Sequence, residues 1–120
     1  MENKKFLLVI THAGDDPERA NVGLAFAAAM ISENVDVSMV FMFDGVYLMK
    51  KGVIDSIASP NVTPAKDLLQ IIVDGGAKLM VCMPCVLRRG IAEEDLLEVC
   101  TLVNAPSVIP EMQQREVITF

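Results

Sequence analysis

The chain has 120 residues, 52% of them hydrophobic and only 22% charged, with a net charge of −6. That length is read as a single domain over 1–120, with no room for a second core. The acidic balance, with a sequence pI near 4.6, argues against a nucleic-acid partner, because binding a polyanion rests on Lys and Arg neutralising phosphates.

The mean hydropathy of +0.44 raises the question of where so much apolar surface goes, and burial between subunits of a homo-oligomer is the expected answer. A membrane span needs about twenty consecutive apolar residues, and the longest such run, Gly23 to Ile31, is about half that. Lys4 and Lys5 precede only five apolar residues, too few for a signal-peptide core. No membrane association and a cytoplasmic location are therefore expected. Three cysteines without a secretory signal do not make a disulfide framework and read as free or reactive thiols.

Phe6 to Ile10 is an unbroken apolar run, the pattern of a strand covered on both faces. The loop Thr11 to Asp16 follows. Asp15 or Asp16 is placed to cap a helix that starts at Pro17 and runs to about Ser32, with Glu18 complementing its dipole. Val35 to Phe43 reads as the second strand and Asp44-Gly45 breaks it. Val46 to Ile57 reads as a short helix interrupted by Gly52. A second cap-then-proline signal at Thr63-Pro64 opens a helix stopped by Asp74-Gly75-Gly76.

Lys78 to Met83 is the third strand, with Pro84 preventing its continuation and Gly90 closing a turn that holds Arg88 and Arg89. Glu93, Glu94 and Asp95 then suit the start of another helix. Cys100 to Val103 reads as a fourth strand, Ser107 to Gln114 as a last helix and Glu116 to Phe120 as a fifth strand. Alternation of β and α throughout predicts a three-layer α/β/α fold with a mainly parallel five-stranded sheet. The first strand is followed by Thr11-His12-Ala13-Gly14-Asp15, one glycine and an acid where a dinucleotide site needs G-x-G-x-x-G, so nucleotide binding is not supported.

Cys82-Met83-Pro84-Cys85 at the end of the third strand is the chemically informative motif. Reactive groups in parallel sheets sit beyond the carboxyl ends of the strands, and a thiol there is nucleophilic when backbone N–H groups or cations stabilise its thiolate. Arg88 and Arg89 are the nearby cations, and a lowered pKa is expected for Cys82. A cysteine within Leu-Met-Val-Cys-Met also fits as a small core residue. Cys85 is either a resolving thiol or an inert one on the first turn of a helix, and Cys100 reads as core. His12, the only histidine, lies on the same edge of the sheet and could bind a substrate or tune the thiol, while Tyr47 and the Gly45 turn could border the cavity. A structural zinc site wants four ligands; with only Cys82, Cys85, Cys100 and His12 available and no second C-x-x-C, no metal is expected.

The segment Cys82-Met83-Pro84-Cys85-Val86-Leu87-Arg88-Arg89-Gly90-Ile91 with Ala92-Glu93-Glu94-Asp95-Leu96 resembles the active-site region of DsrE/DsrF-like and TusD-like proteins, small sulfur-relay sulfurtransferases. Phe43-Asp44-Gly45-Val46-Tyr47 is similar to the aromatic-x-Gly-Val-Tyr turn after that family's second strand, and the alanine-rich helix from Pro17 corresponds as well. The resemblance implies a sulfur carrier: Cys82, at the place of the family's cysteine, accepts sulfane sulfur as a persulfide from a donor protein and passes it to an acceptor protein. It implies trimers or hexamers and no cofactor. Cys85 stands where TusD-like members have a small residue, and Ala92 where a serine cap is usual. The alternatives from other classes are a dithiol oxidoreductase, in which Cys82 attacks and Cys85 resolves, and a non-catalytic oligomeric interaction protein.

Overall fold

In the computed structural model, which describes residues 3–120, five strands form one sheet. They are β1 (Lys5–Ile10), β2 (Asp36–Phe41), β3 (Lys78–Cys82), β4 (Thr101–Val103) and β5 (Glu116–Thr119). Their spatial order is β4-β3-β2-β1-β5, and every pairing is parallel. The helices are α1 (Pro17–Ser32), α2 (Ala65–Asp74), α3 (Met83–Arg88) and α4 (Ala105–Gln114). From β1 to β4 the chain steps one way across the sheet. The last crossover then returns past three strands to place β5 beside β1. Parallel crossovers are right-handed, so reversing the direction of travel sends α4 to the face opposite α1 and α2. This is the predicted three-layer α/β/α class, with a sheet that is wholly parallel.

Alternation along each strand divides the core. Leu8, Ile10, Val37, Met39, Phe41, Leu79 and Val81 pack with Ala20, Leu24, Ala27, Leu68 and Ile72 of α1 and α2 in one large buried cluster. Leu7, Val9, Val40, Met80 and Val103 make a smaller cluster on the other face, beneath Val108 of α4. The far end of α4 is tied down by charge: Arg115 donates to Glu111, Asp36 and the Phe6 carbonyl, and Lys78 and Ser38 donate to Glu111. Burial alone would raise the Glu111 pKa, but its bonds to Arg115 and Lys78 hold it below the ordinary carboxylate value.

Asp16 is the residue that caps α1, its carboxylate accepting from the Arg19 N–H at 3.1 Å. Three expectations are corrected. Residues 46–57 do not form a helix; the chain makes a 3-10 segment over Phe43–Met49 and a single 3-10 turn at Ile54–Ser56. Helix follows β3 at once, as α3, because Pro84 sits in its first turn where no N–H is needed. Glu93–Asp95 winds only one 3-10 turn. There the Asp95 carbonyl accepts from Lys51 N–H at 2.8 Å and Leu97 N–H donates to the Met49 carbonyl at 2.7 Å, around an antiparallel bridge between Lys50 and Leu96. Those backbone groups are therefore committed across the chain and are not free to continue a helix. The strand and helix limits otherwise shift by one or two residues, with β2 stopping at Phe41 and β3 at Cys82.

Candidate functional site

Cys82 is the last residue of β3 and directly precedes α3. Lys78 reaches Glu111 of α4 and Met80 lies in the cluster under α4, so the two-residue period carries Cys82 toward the same face. Its thiol is half-buried and lines an apolar cavity of about 250 Å³ beneath α4. One helical turn brings Cys85 near it, close enough for the Cys85 N–H and sulfur to act on the Cys82 thiol. Burial, followed by the Cys85 sulfur, pushes the Cys82 thiol up from its ordinary pKa; the Cys85 N–H and the Arg89 charge act the other way and do not prevail. The expected lowering is thus corrected for the free protein, since desolvation of a half-buried thiol outweighs one amide and one guanidinium.

The Cys85 sulfur also accepts from the Phe43 N–H at 3.3 Å. Phe43 is an exposed aromatic at φ 52, a left-handed conformation that costs a bulky residue on the order of 1–3 kcal/mol. Two contacts hold it there. Met42 N–H donates to the Ile10 carbonyl at 2.9 Å, and Gly45 lies so close to that carbonyl that a Cβ would come within 2.0 Å of its oxygen. The aromatic-x-Gly turn singled out in the sequence is therefore a clamp between the ends of β1 and β2, and glycine is required by contact rather than by dihedral angle. Asp44, inside the clamp, accepts from Arg89 at 2.9 Å, and Arg89 also donates to the Cys85 carbonyl at 3.2 Å. Gly90, at φ 65, then turns the chain away behind that pair.

The other sequence candidates fall as follows. Arg88 is exposed, and the cation acting on Cys82 is Arg89 alone. Tyr47 is half-buried against the main core in the Phe43–Met49 segment. His12 pairs with Asp15 at 2.7 Å at the end of β1, two strands and roughly 10 Å of sheet away from β3. Burial would raise the Asp15 pKa, but the Ala13 N–H and His12 lower it, so this pair builds the β1–α1 loop. Cys100 donates to the Leu97 carbonyl at 3.1 Å and is raised by burial. Because Met80 pairs with Thr101 and Cys82 with Val103, Cys100 sits about three residues, or roughly 10 Å, down the sheet from Cys82. Among the described residues no three His, Cys, Asp or Glu side chains converge as a metal set, and no helix is long and apolar enough to cross a membrane. Sequence reasoning missed Phe43 and Asp44 as parts of the thiol site. The Phe43-Asp44-Gly45 string was the available signal, but it lies some forty residues before Cys85.

Comparison with known proteins agrees with this fold. The chain is 34% identical to uncharacterized protein MJ0989 of Methanocaldococcus jannaschii, over 97% of this chain and 99% of that protein. It is 31% identical to uncharacterized protein MK0008 of Methanopyrus kandleri, over 94% of this chain and 90% of the other. The fold is that of the ychN protein from E. coli, with a TM-score of 0.80 over 98% of this chain and 99% of that one at 20% identity. Protein MTH1491 from Methanobacterium thermoautotrophicum follows at a TM-score of 0.71 and 13% identity, covering 98% and 99% of the two chains. The DsrE/DsrF-like family model matches residues 4–120, and with the thiol at the end of β3 and helices on both faces of the sheet, the chain belongs to the DsrE/DsrF-like family.

Proposed function

We propose that the protein is a sulfur carrier: Cys82 accepts sulfane sulfur as a persulfide and hands it to an acceptor protein. The observation that carries this reading is the half-buried thiol at the carboxyl end of β3, bordered by an apolar cavity, with the Cys85 N–H and the Arg89 charge favouring its thiolate. A persulfide anion on Cys82 keeps the favourable influence of the Cys85 N–H and the Arg89 guanidinium. Turnover then depends on deprotonating Cys82, which the Cys85 N–H and the Arg89 charge favour against burial. A trimer or hexamer and a reducing compartment such as the cytoplasm complete the proposal; thiols at this spacing persist reduced only there.

A second reading, a dithiol oxidoreductase, is favoured by one observation, the place of the free thiols Cys82 and Cys85 at the end of β3 and on the first turn of α3. Intact mass after treatment with a sulfane-sulfur donor separates the two. A carrier gains one sulfur atom on Cys82, and Cys85→Ser holds it longer, because the Cys85 thiolate attacks Cys82, expels sulfide and closes a disulfide. An oxidoreductase loses two hydrogens and keeps no persulfide in either form. Undiminished sulfur uptake by Cys82→Ser would overturn the assignment to Cys82.

A further inference from the structure

The cavity beside Cys82 has a consistent chemistry. Leu7, Val9, Val40 and Met42 from the sheet face Val108 and Met112 from α4 across it, Cys82 and Pro84 close one end, and Asn104 is the single polar side chain in the lining. No charged residue borders it. The Glu111, Arg115 and Lys78 cluster lies nearer the amino ends of the strands, where Ser38 of β2 and Lys78 at the start of β3 bond Glu111. At about 250 Å³ the cavity has space for roughly eight water-sized groups at ~30 Å³ each, yet offers water almost no partners, which disfavours hydration.

A thiolate attacking a sulfur–sulfur bond does so in line, so the leaving sulfur and its substituent extend directly away from the Cys82 sulfur. We infer that this cavity is the substituent site of a small-molecule persulfide donor, and that the donor Cys82 accepts carries an uncharged, apolar organic group. The inference rests on the carrier reading above. The step balances: the Cys82 thiolate bonds the outer sulfur of R–S–SH, the S–S bond of the donor breaks, R–S⁻ departs with the electron pair and takes a proton from water, and Cys82 is left as Cys82–S–SH. Charged thiols, with carboxylates to solvate, would have to strip them of water against a wall that supplies no counter-charge. The site therefore selects against them, while each methylene that enters is worth about fourfold in binding.

The test uses S-methyl alkanethiosulfonates, CH3–S–SO2–R: the Cys82 thiolate bonds the methyl-bearing sulfur, the S–S bond breaks and R–SO2⁻ leaves in line, so R enters the cavity as the substituent of the donor would. Rates at Cys82 are measured by intact mass for R = methyl, n-butyl and the anionic 2-sulfonatoethyl, each normalised to free cysteine. With three further methylenes the butyl reagent should exceed methyl by up to about sixtyfold, and the sulfonate should fall below methyl. Ala105→Phe, at an exposed residue of α4 that borders the cavity, puts a ring into that space and should abolish the butyl preference and leave the methyl rate unchanged. Ile109→Lys, on the same helix, should raise the sulfonate rate. Equal normalised rates for butyl and sulfonate overturn the inference, as does a butyl preference untouched by Ala105→Phe. If a second copy of the chain covers the cavity, all rates will fall with protein concentration and recover on dilution, which also overturns it. Failure of the carrier reading looks different: Cys82 would keep the butyl preference with these reagents yet gain no sulfur atom from a sulfane-sulfur donor in the intact-mass assay above.

Discussion

The two faces of the sheet are built to different standards. Under α1 and α2 the strands present Leu8, Ile10, Met39, Phe41 and Val81 to alanine and leucine side chains that are fully buried in turn. Over the other face lies a single ten-residue helix, none of whose residues is buried and whose Ile109 and Met112 are about half exposed. α4 is fixed to the sheet at its far end by the Lys78–Glu111 and Arg115–Asp36 ion pairs, and the end near Cys82 spans a cavity. The lesson is a division of labour: one face supplies cohesion, while the other leaves room beside a thiol. A fold with both faces packed as tightly as the first would bury Cys82 as an ordinary core residue.

Substitutions on either side sharpen that contrast. The largest effect is expected from Phe41→Ala on the sealed face, which should lower stability by about 3–5 kcal/mol, read as a fall in urea midpoint at constant m-value. Glu111→Gln should cost roughly 1–3 kcal/mol at neutral pH, and its pH dependence carries the sign. A carboxylate lowered in the folded state stabilises above its unfolded pKa of about 4.3 and loses that contribution as pH falls through the folded value. The variant should therefore show a flatter acid limb in a stability–pH series; an unchanged limb would remove Glu111 as the anchor of α4. Arg89→Gln, which deletes a charge that opposes the raised Cys82 pKa, should move the pH profile of Cys82 alkylation upward and slow it a few-fold at neutral pH, while Arg88→Gln leaves the profile in place. Ile109→Ala, on the open face, should change stability by about 1 kcal/mol or less. A loss comparable to that of Phe41→Ala would mean that the two faces are equally cohesive.

The sheet and its helices were legible because apolar runs such as Phe6 to Ile10 and caps such as Asp16-Pro17 are local signals. What was not legible depended on partners distant in sequence. The 3-10 path of Phe43–Met49 is dictated by the Ile10 carbonyl against Gly45, and a helical apolar pattern cannot reveal such a contact. The single turn at Glu93–Asp95 reflects backbone bonds to Met49 and Lys51, although its acidic residues suit a longer helix. Pro84 was weighed as a strand breaker, and its equal fitness for a first helical turn explains why α3 came early. In the site, Cys82 beside Cys85 followed from their spacing. The choice of Arg89 over Arg88 needed the Asp44 contact to decide it, and the raised thiol pKa needed the burial that α4 and Cys85 impose.

The clamp at Gly45 bears on whether the thiol motif is transplantable. The amide that serves the Cys85 sulfur belongs to Phe43, after β2, and its position is set by the end of β1, so three consecutive strands contribute to the surroundings of one sulfur. Moving the four residues from Cys82 to Cys85 onto another parallel sheet would transfer both sulfurs without that amide. A faithful graft of the thiol pair with its amide has to bring the Ile10–Gly45 contact with it, which makes the smallest portable unit the run from β1 through α3, more than two thirds of the chain, rather than a loop.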